Sequence, residues 1–240
     1  MKRWGLTTAM LAGLAALMFS VPAFGSVNKS VRIDDGATSD GASSVNGSVT
    51  VGASATVTGR ISTVNGAIRV GENAVIEDAG TVNGSVGISR NVQSKDIETV
   101  NGNITLDDAA QVSGAVTAVN GDIELAQGVA VSRDVGNVNG AISLTGSRVG
   151  GDVSTVSGDV ELIDGAVIAG DLIVEEPKGS GWGSQKRRKP TVIVGPGSRI
   201  EGAIRLEREV NLYISESAQV GRVEGKMSME DAVRFSGNRP

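Results

Sequence analysis

The chain is 240 residues long with a formal charge of −5, has no Cys and no His, and is 2% aromatic with 34 Gly. Without Cys there are no disulfides and no thiolate metal sites, and without His the commonest general base and metal ligand are both missing. So few rings exclude a core built on large aromatic side chains, and so many glycines mean a chain that turns often.

Residues 1–25 read as a signal peptide. Lys2 and Arg3 form a short basic region, Leu6 to Val21 is mostly apolar, and Pro22, Ala23, Phe24 and Gly25 supply a break with small residues of the kind a signal peptidase cuts. Cleavage is expected after Gly25, leaving no integral membrane span. An uncleaved anchor is the alternative, since the apolar run is near the lower length limit for a span. No Cys follows the cut to carry a lipid. Losing Lys2 and Arg3 takes the formal charge from −5 to −7, which opposes nucleic-acid binding. The expected destination is the periplasm or the cell surface.

The tripeptide VNG then begins at Val45, Val64, Val82, Val100, Val119 and Val138, and Val156, Ser157 and Gly158 close the series. Successive starts lie 19, 18, 18, 19, 19 and 18 residues apart, a fixed period that marks a stacked solenoid. Counting from each Val, apolar residues recur at the fourth and sixth positions onward, from Val49 and Val51 through Ile104 and Leu106 to Val160 and Leu162. A second cluster includes Ala55 and Val57, Ala74 and Ile76, Ala110 and Val112, Val129 and Val131, Ala166 and Ile168. A third includes Ile61, Ile97, Val116, Val135, Val153 and Leu172. Alternation with period 2 makes each cluster an inward-facing strand. Three strands per unit predict an all-β fold: a single-stranded parallel β-helix, or three-faced β-solenoid, of about nine to ten coils of 18–19 residues over residues 26–225. At roughly 4.8 Å per coil the rod is on the order of 45 Å long.

At one corner, Asn46, Asn65, Asn83, Asn101, Asn120 and Asn139, with Asn28 below them, are expected to stack as a ladder rather than form a binding surface. Asn tolerates unusual backbone angles there, and its amide bonds along the column. The glycine after each lets the chain turn without a Cβ clash. A polar first coil starts at Val27 and blunts the first open edge.

Residues 175–190, EEPKGSGWGSQKRRKP, abandon the period and must leave the rod as a loop. Trp182, Lys186, Arg187, Arg188 and Lys189 make this a candidate interaction loop for an anionic envelope polymer, a phosphate-bearing glycan or lipid headgroups. The other reading is a solvated excursion. The register resumes at Val192, and the last coil holds Leu212, Ile214, Ala218, Val220 and Val223. Residues 226–240 form a cap or tail, expected as a short helix laying Met227, Met229, Val233 and Phe235 over the open end. A loose cap leaves strand edges free for end-to-end self-association.

The strongest acidic pairs are Asp107 with Asp108, Asp122 with Glu124, and Asp159 with Glu161. The last two pairs are outward neighbours on strands two coils apart and read as solvated outer faces, not as a convergent catalytic centre. A phosphate loop and the calcium-binding nonapeptide are both absent, Gly150, Gly151 and Asp152 being only a fragment of the latter. No cofactor or metal is expected.

The phrases TVNGSVGI, TVNGNITL, AVNGDIEL and TVSGDVEL resemble the repeats of a bacterial adhesin family whose exported members carry stacked SGDV-type β-repeats. The later segments DGAVIAGDLIVEE and GPGSRIEGAIRLEREVNLYISESAQVGRVEG resemble bactofilins, polymer-forming cytoskeletal β-helices. Together these resemblances imply a right-handed parallel β-helix with a structural or surface role and no catalytic residues. The expected function is that of an exported, non-catalytic β-solenoid with an adhesin-like or structural role, meeting an envelope polymer or protein. The alternatives are a self-assembling scaffold filament and a polysaccharide-active enzyme.

Overall fold

The structure, a computed structural model, describes residues 25–177 and 188–240. Each coil lays down three short strands, as in Ile68–Val70, Val75–Ile76 and Ala79–Asn83. Eleven parallel strands make the first face, and nineteen make the other two. Those two faces merge at the C-terminal end, where Arg199–Leu206 and Gln219–Gly225 each run unbroken through both. The result is a β-solenoid of about ten turns.

The repeat register is kept from coil to coil. On the first face Val31 lies under Val49, and then follow Ile68, Val86, Ile104, Ile123, Ile142, Val160, Val192 and Leu212. The inward clusters anticipated on the second and third faces are likewise buried. The core is aliphatic, and Phe235 is the one buried aromatic among the described residues. Burying a Val, Leu or Ile stabilises by roughly 1.5–3 kcal/mol, but only when coils above and below exclude water. The stack, not the single coil, is therefore the folding unit.

Two corners are built differently from expectation. The ladder asparagines keep ordinary backbone angles. The left-handed residues lie instead between the first and second faces, at Gly36, Ser54, Asn73, Asn91, Ala109, Gly128 and Gly146 in successive coils, with φ from 50° to 73°. At the VNG corner the glycine is needed mainly for close approach: a Cβ on Gly84 would overlap the carbonyl oxygen of Gly66 in the coil below. Just inside that corner a buried hydroxyl column satisfies the same carbonyls. Thr63, Thr81 and Thr99 donate to Gly47, Gly66 and Gly84 at 2.8, 3.0 and 3.0 Å.

The C-terminal tail is a strand where a helix was expected. After a three-residue 3-10 turn at Met229–Asp231, Val233–Phe235 pairs in parallel with Tyr213, Ile214 and Ser215. Phe235 is buried at the end of the core while Val233 stays exposed, and pairing with the strand beneath outweighs the weak helical tendency of this short stretch. Met227, Met229 and Ala232 pack against the end of the core.

Candidate functional site

The Asn column is a continuous hydrogen-bonded ladder. Each Nδ2 donates to the Oδ1 one coil below, from Asn46 to Asn28 up to Asn139 to Asn120, at 2.8–2.9 Å. An amide offers one donor and one acceptor along the stack, so each inner member is used on both sides. The ladder stops at Asn139 because the next corner carries Ser157. There an internal network takes over: Asn137 donates to the Gly140 carbonyl at 2.8 Å, Thr155 donates to Asn137 Oδ1 at 2.7 Å, and the Gly158 N–H donates to Thr155 at 2.9 Å.

The aperiodic insertion leaves the rod at this same corner, one coil higher. Trp182, Lys186 and Arg187 lie outside the described residues, as do residues 1–24 of the signal-peptide segment. Arg188 and Lys189 are described and turn back onto the rod. Arg188 pairs with Asp159 at 2.5 Å and Lys189 with Glu209 at 2.6 Å. The hydrogen bond and charge of Lys189 hold the Glu209 carboxyl below its ordinary range. The rod thus grips both stems of the excursion. Glu207 accepts the Glu176 N–H at 3.1 Å, Asp159 accepts the Thr191 N–H at 2.8 Å, and Arg208 donates to the carbonyls of Val156 and Arg188 at 3.2 Å each. No sequence pattern points to Glu207 or Arg208, because their partners lie across an insertion of arbitrary length. Glu175, assigned to the loop, is buried and continues the third face, its N–H reaching the Thr155 carbonyl.

The acidic pairs stand apart. Glu124 and Glu161 occupy one outward row of the first face with Ser143 between them. Asp122 accepts the Ala141 N–H at 2.7 Å, Asp159 is engaged as above, and Glu161 meets Arg239 at 3.4 Å. A further acidic column, unnoticed in the sequence, runs up the corner before the third face. Asp134, Asp152 and Asp171 accept the N–H of Asp152, Asp171 and Ala203 at 2.8, 2.8 and 2.9 Å. Gly151, Gly170 and Gly202 are required beside it, because each carboxylate oxygen fills the place of the missing Cβ. The signal was present as the recurrent Gly-Asp step, and it gives the calcium-motif fragment a structural role.

On the third face Arg60 reaches across the coil of Gly80 to Glu98 at 3.7 Å. Burial raises the Glu98 carboxyl above its ordinary value, against the pull of Arg60. Among the described residues, no group of three or more acidic side chains is placed to hold a metal ion, and no helix is long and apolar enough to cross a membrane. Comparison with protein-family models, with curated proteins and with solved structures gives no match.

Proposed function

We propose that the chain is an exported, non-catalytic β-solenoid with an adhesin-like or structural role, presenting its repeated faces to a polymer or protein of the cell envelope. The observation that carries this reading is the engagement of the carboxylates. Asp122, Asp134, Asp152, Asp159 and Asp171 each hold a backbone N–H of a neighbouring coil. A carboxylate spent on holding the coil above it is a poor general acid or base. The rod's outward rows, repeated coil after coil, suit contact with an extended partner instead.

The test is expression of the full chain followed by cell fractionation and co-sedimentation with washed envelope. Recovery with the envelope and no release of reducing or unsaturated ends supports the reading. Recovery in the cytoplasm, or sugar release, refutes it.

A self-assembling filament is favoured by one observation. Among the described residues the last strand through the second and third faces, Gln219–Gly225, pairs on one side only, with Arg199–Leu206, and a free edge invites strand addition. Electron microscopy of purified protein at rising concentration decides whether rods join end to end.

A further inference from the structure

The outward row of the first face runs Thr50, Arg69, Gly87, Thr105, Glu124. Gly87 is a gap in this row with no cause in the fold. Its backbone angles are ordinary and nothing lies within 4 Å of where its Cβ would be. Most other glycines among the described residues sit at a positive φ or against a neighbouring coil, as Gly84 does. A glycine in a strand interior gives up side-chain packing and costs backbone entropy, and where the fold does not need it, it marks a close approach by something else.

The gap opens a trough of about 330 Å³, at the small end of the range for ligand clefts. Ser85 and Ser89 flank Gly87 on its own coil, Arg69 stands below and Thr105 above, and Asp107 closes one side. Arg69 is exposed and has no carboxylate partner among the described residues. Its guanidinium offers a planar fork of donors matched to a carboxylate. The three hydroxyls both donate and accept, and Asp107 accepts only. Arg69 and Asp107 belong to coils two apart, roughly 9.6 Å at 4.8 Å per coil, so they act as separate poles and do not neutralise each other.

We propose that the Gly87 trough is a binding site for a carboxylate-bearing saccharide. Arg69 takes the acid group, while Asp107, Ser85, Ser89 and Thr105 take ring hydroxyls. This rests on the envelope-binding reading above and names the chemistry of the polymer that one face meets.

The test is calorimetric titration of the full chain with trigalacturonate and with its methyl ester, which removes the charge and keeps the hydroxyls. Saturable binding of the acid and at least tenfold weaker binding of the ester are expected. Arg69→Gln is expected to weaken the acid at least tenfold. Gly87→Thr fills the trough and is expected to abolish binding while the melting temperature stays equal or rises, an outcome a purely structural glycine does not give. Absence of saturable binding, equal affinity for acid and ester, or wild-type affinity in either variant overturns the site. Co-sedimentation with envelope is measured in parallel. Protein that sediments without binding the acid sugar leaves the functional reading standing and removes only the site; protein that does not sediment removes the reading.

Discussion

Replacing Asn101 with Leu tests the ladder where it is continuous on both sides. The substitution removes two hydrogen bonds, the donation to Asn83 and the acceptance from Asn120, both 2.9 Å. Asn101 is exposed, so water replaces part of what is lost, and the relevant figure is the net worth of a hydrogen bond, about 0.5–1.5 kcal/mol each. The two together give about 2 kcal/mol. For a chain of this length each kcal/mol shifts the melting temperature by about 2–4 °C, so a fall of roughly 4–8 °C is expected in a thermal melt followed by circular dichroism. Asn139 provides the control. It makes only one ladder bond, to Asn120 at 2.8 Å, because Ser157 stands above it, so Asn139→Leu is expected to cost about half as much. Equal losses at the two positions, or an unchanged melt for Asn101→Leu, refute the view that the column acts through pairwise amide bonds.

Ser147 has a buried hydroxyl without a hydrogen-bond partner among the described residues, in a column otherwise largely of Ala, so Ser147→Ala is expected to stabilise by about 1 kcal/mol in a denaturant melt; a loss refutes the assignment. Ala109 pays for a left-handed backbone at φ 58° directly above Asn91, whose amide already donates to Asn73 at 3.2 Å; Ala109→Asn extends that second ladder by a rung and is expected to raise stability by about 1 kcal/mol, with an unchanged or lower midpoint as the contrary result. Burial raises the Glu98 carboxyl in the fold, so the native state holds this proton more tightly than the unfolded chain and the contribution is full below the ordinary Glu value of about 4.3. It is lost as pH rises through the raised native value. Glu98→Gln is therefore expected to flatten the melting temperature across that mildly acidic window, and an unaltered pH profile contradicts the cause given.

The rod was legible because a β-solenoid converts sequence period directly into spatial register. A residue 18 or 19 positions on is the neighbour above, and alternation with period 2 then assigns the interior. What stayed hidden were contacts that period alone does not reveal. The left-handed corner was assigned to the VNG asparagines because Asn suits both an amide ladder and a positive φ; Asn73 and Asn91 use the second property, and Asn46 to Asn139 only the first. The inner Thr column was readable in principle, since Ser44, Thr63, Thr81, Thr99 and Thr155 all precede a VNG or its variant, yet a hydroxyl beside an apolar run looks like an outward residue until its carbonyl partner is known. The strand at Val233–Phe235 owes its existence to the edge beneath it, and three residues carry too little pattern to declare one. At the insertion, the sequence marked four cations as one group, but Arg188 and Lys189 are drawn back by Asp159 and Glu209, partners no local reading reaches.

In a stacked repeat, most side chains are explained by the copies above and below them, so the informative positions are those where a row is broken. The break at Ser157 is repaired internally by Asn137, Thr155 and Gly158. That interruption has structural compensation and calls for no ligand. Surface ion pairs, mostly between exposed side chains, contribute little and do not dictate the outer rows. Gly87 differs: it interrupts a row, faces open space, and nothing in the neighbouring coils compensates for its missing side chain. Local rules broken without structural return are expected at functional positions, and that places the first face, at the coil of Gly87, ahead of the acidic pairs as the surface to test for binding.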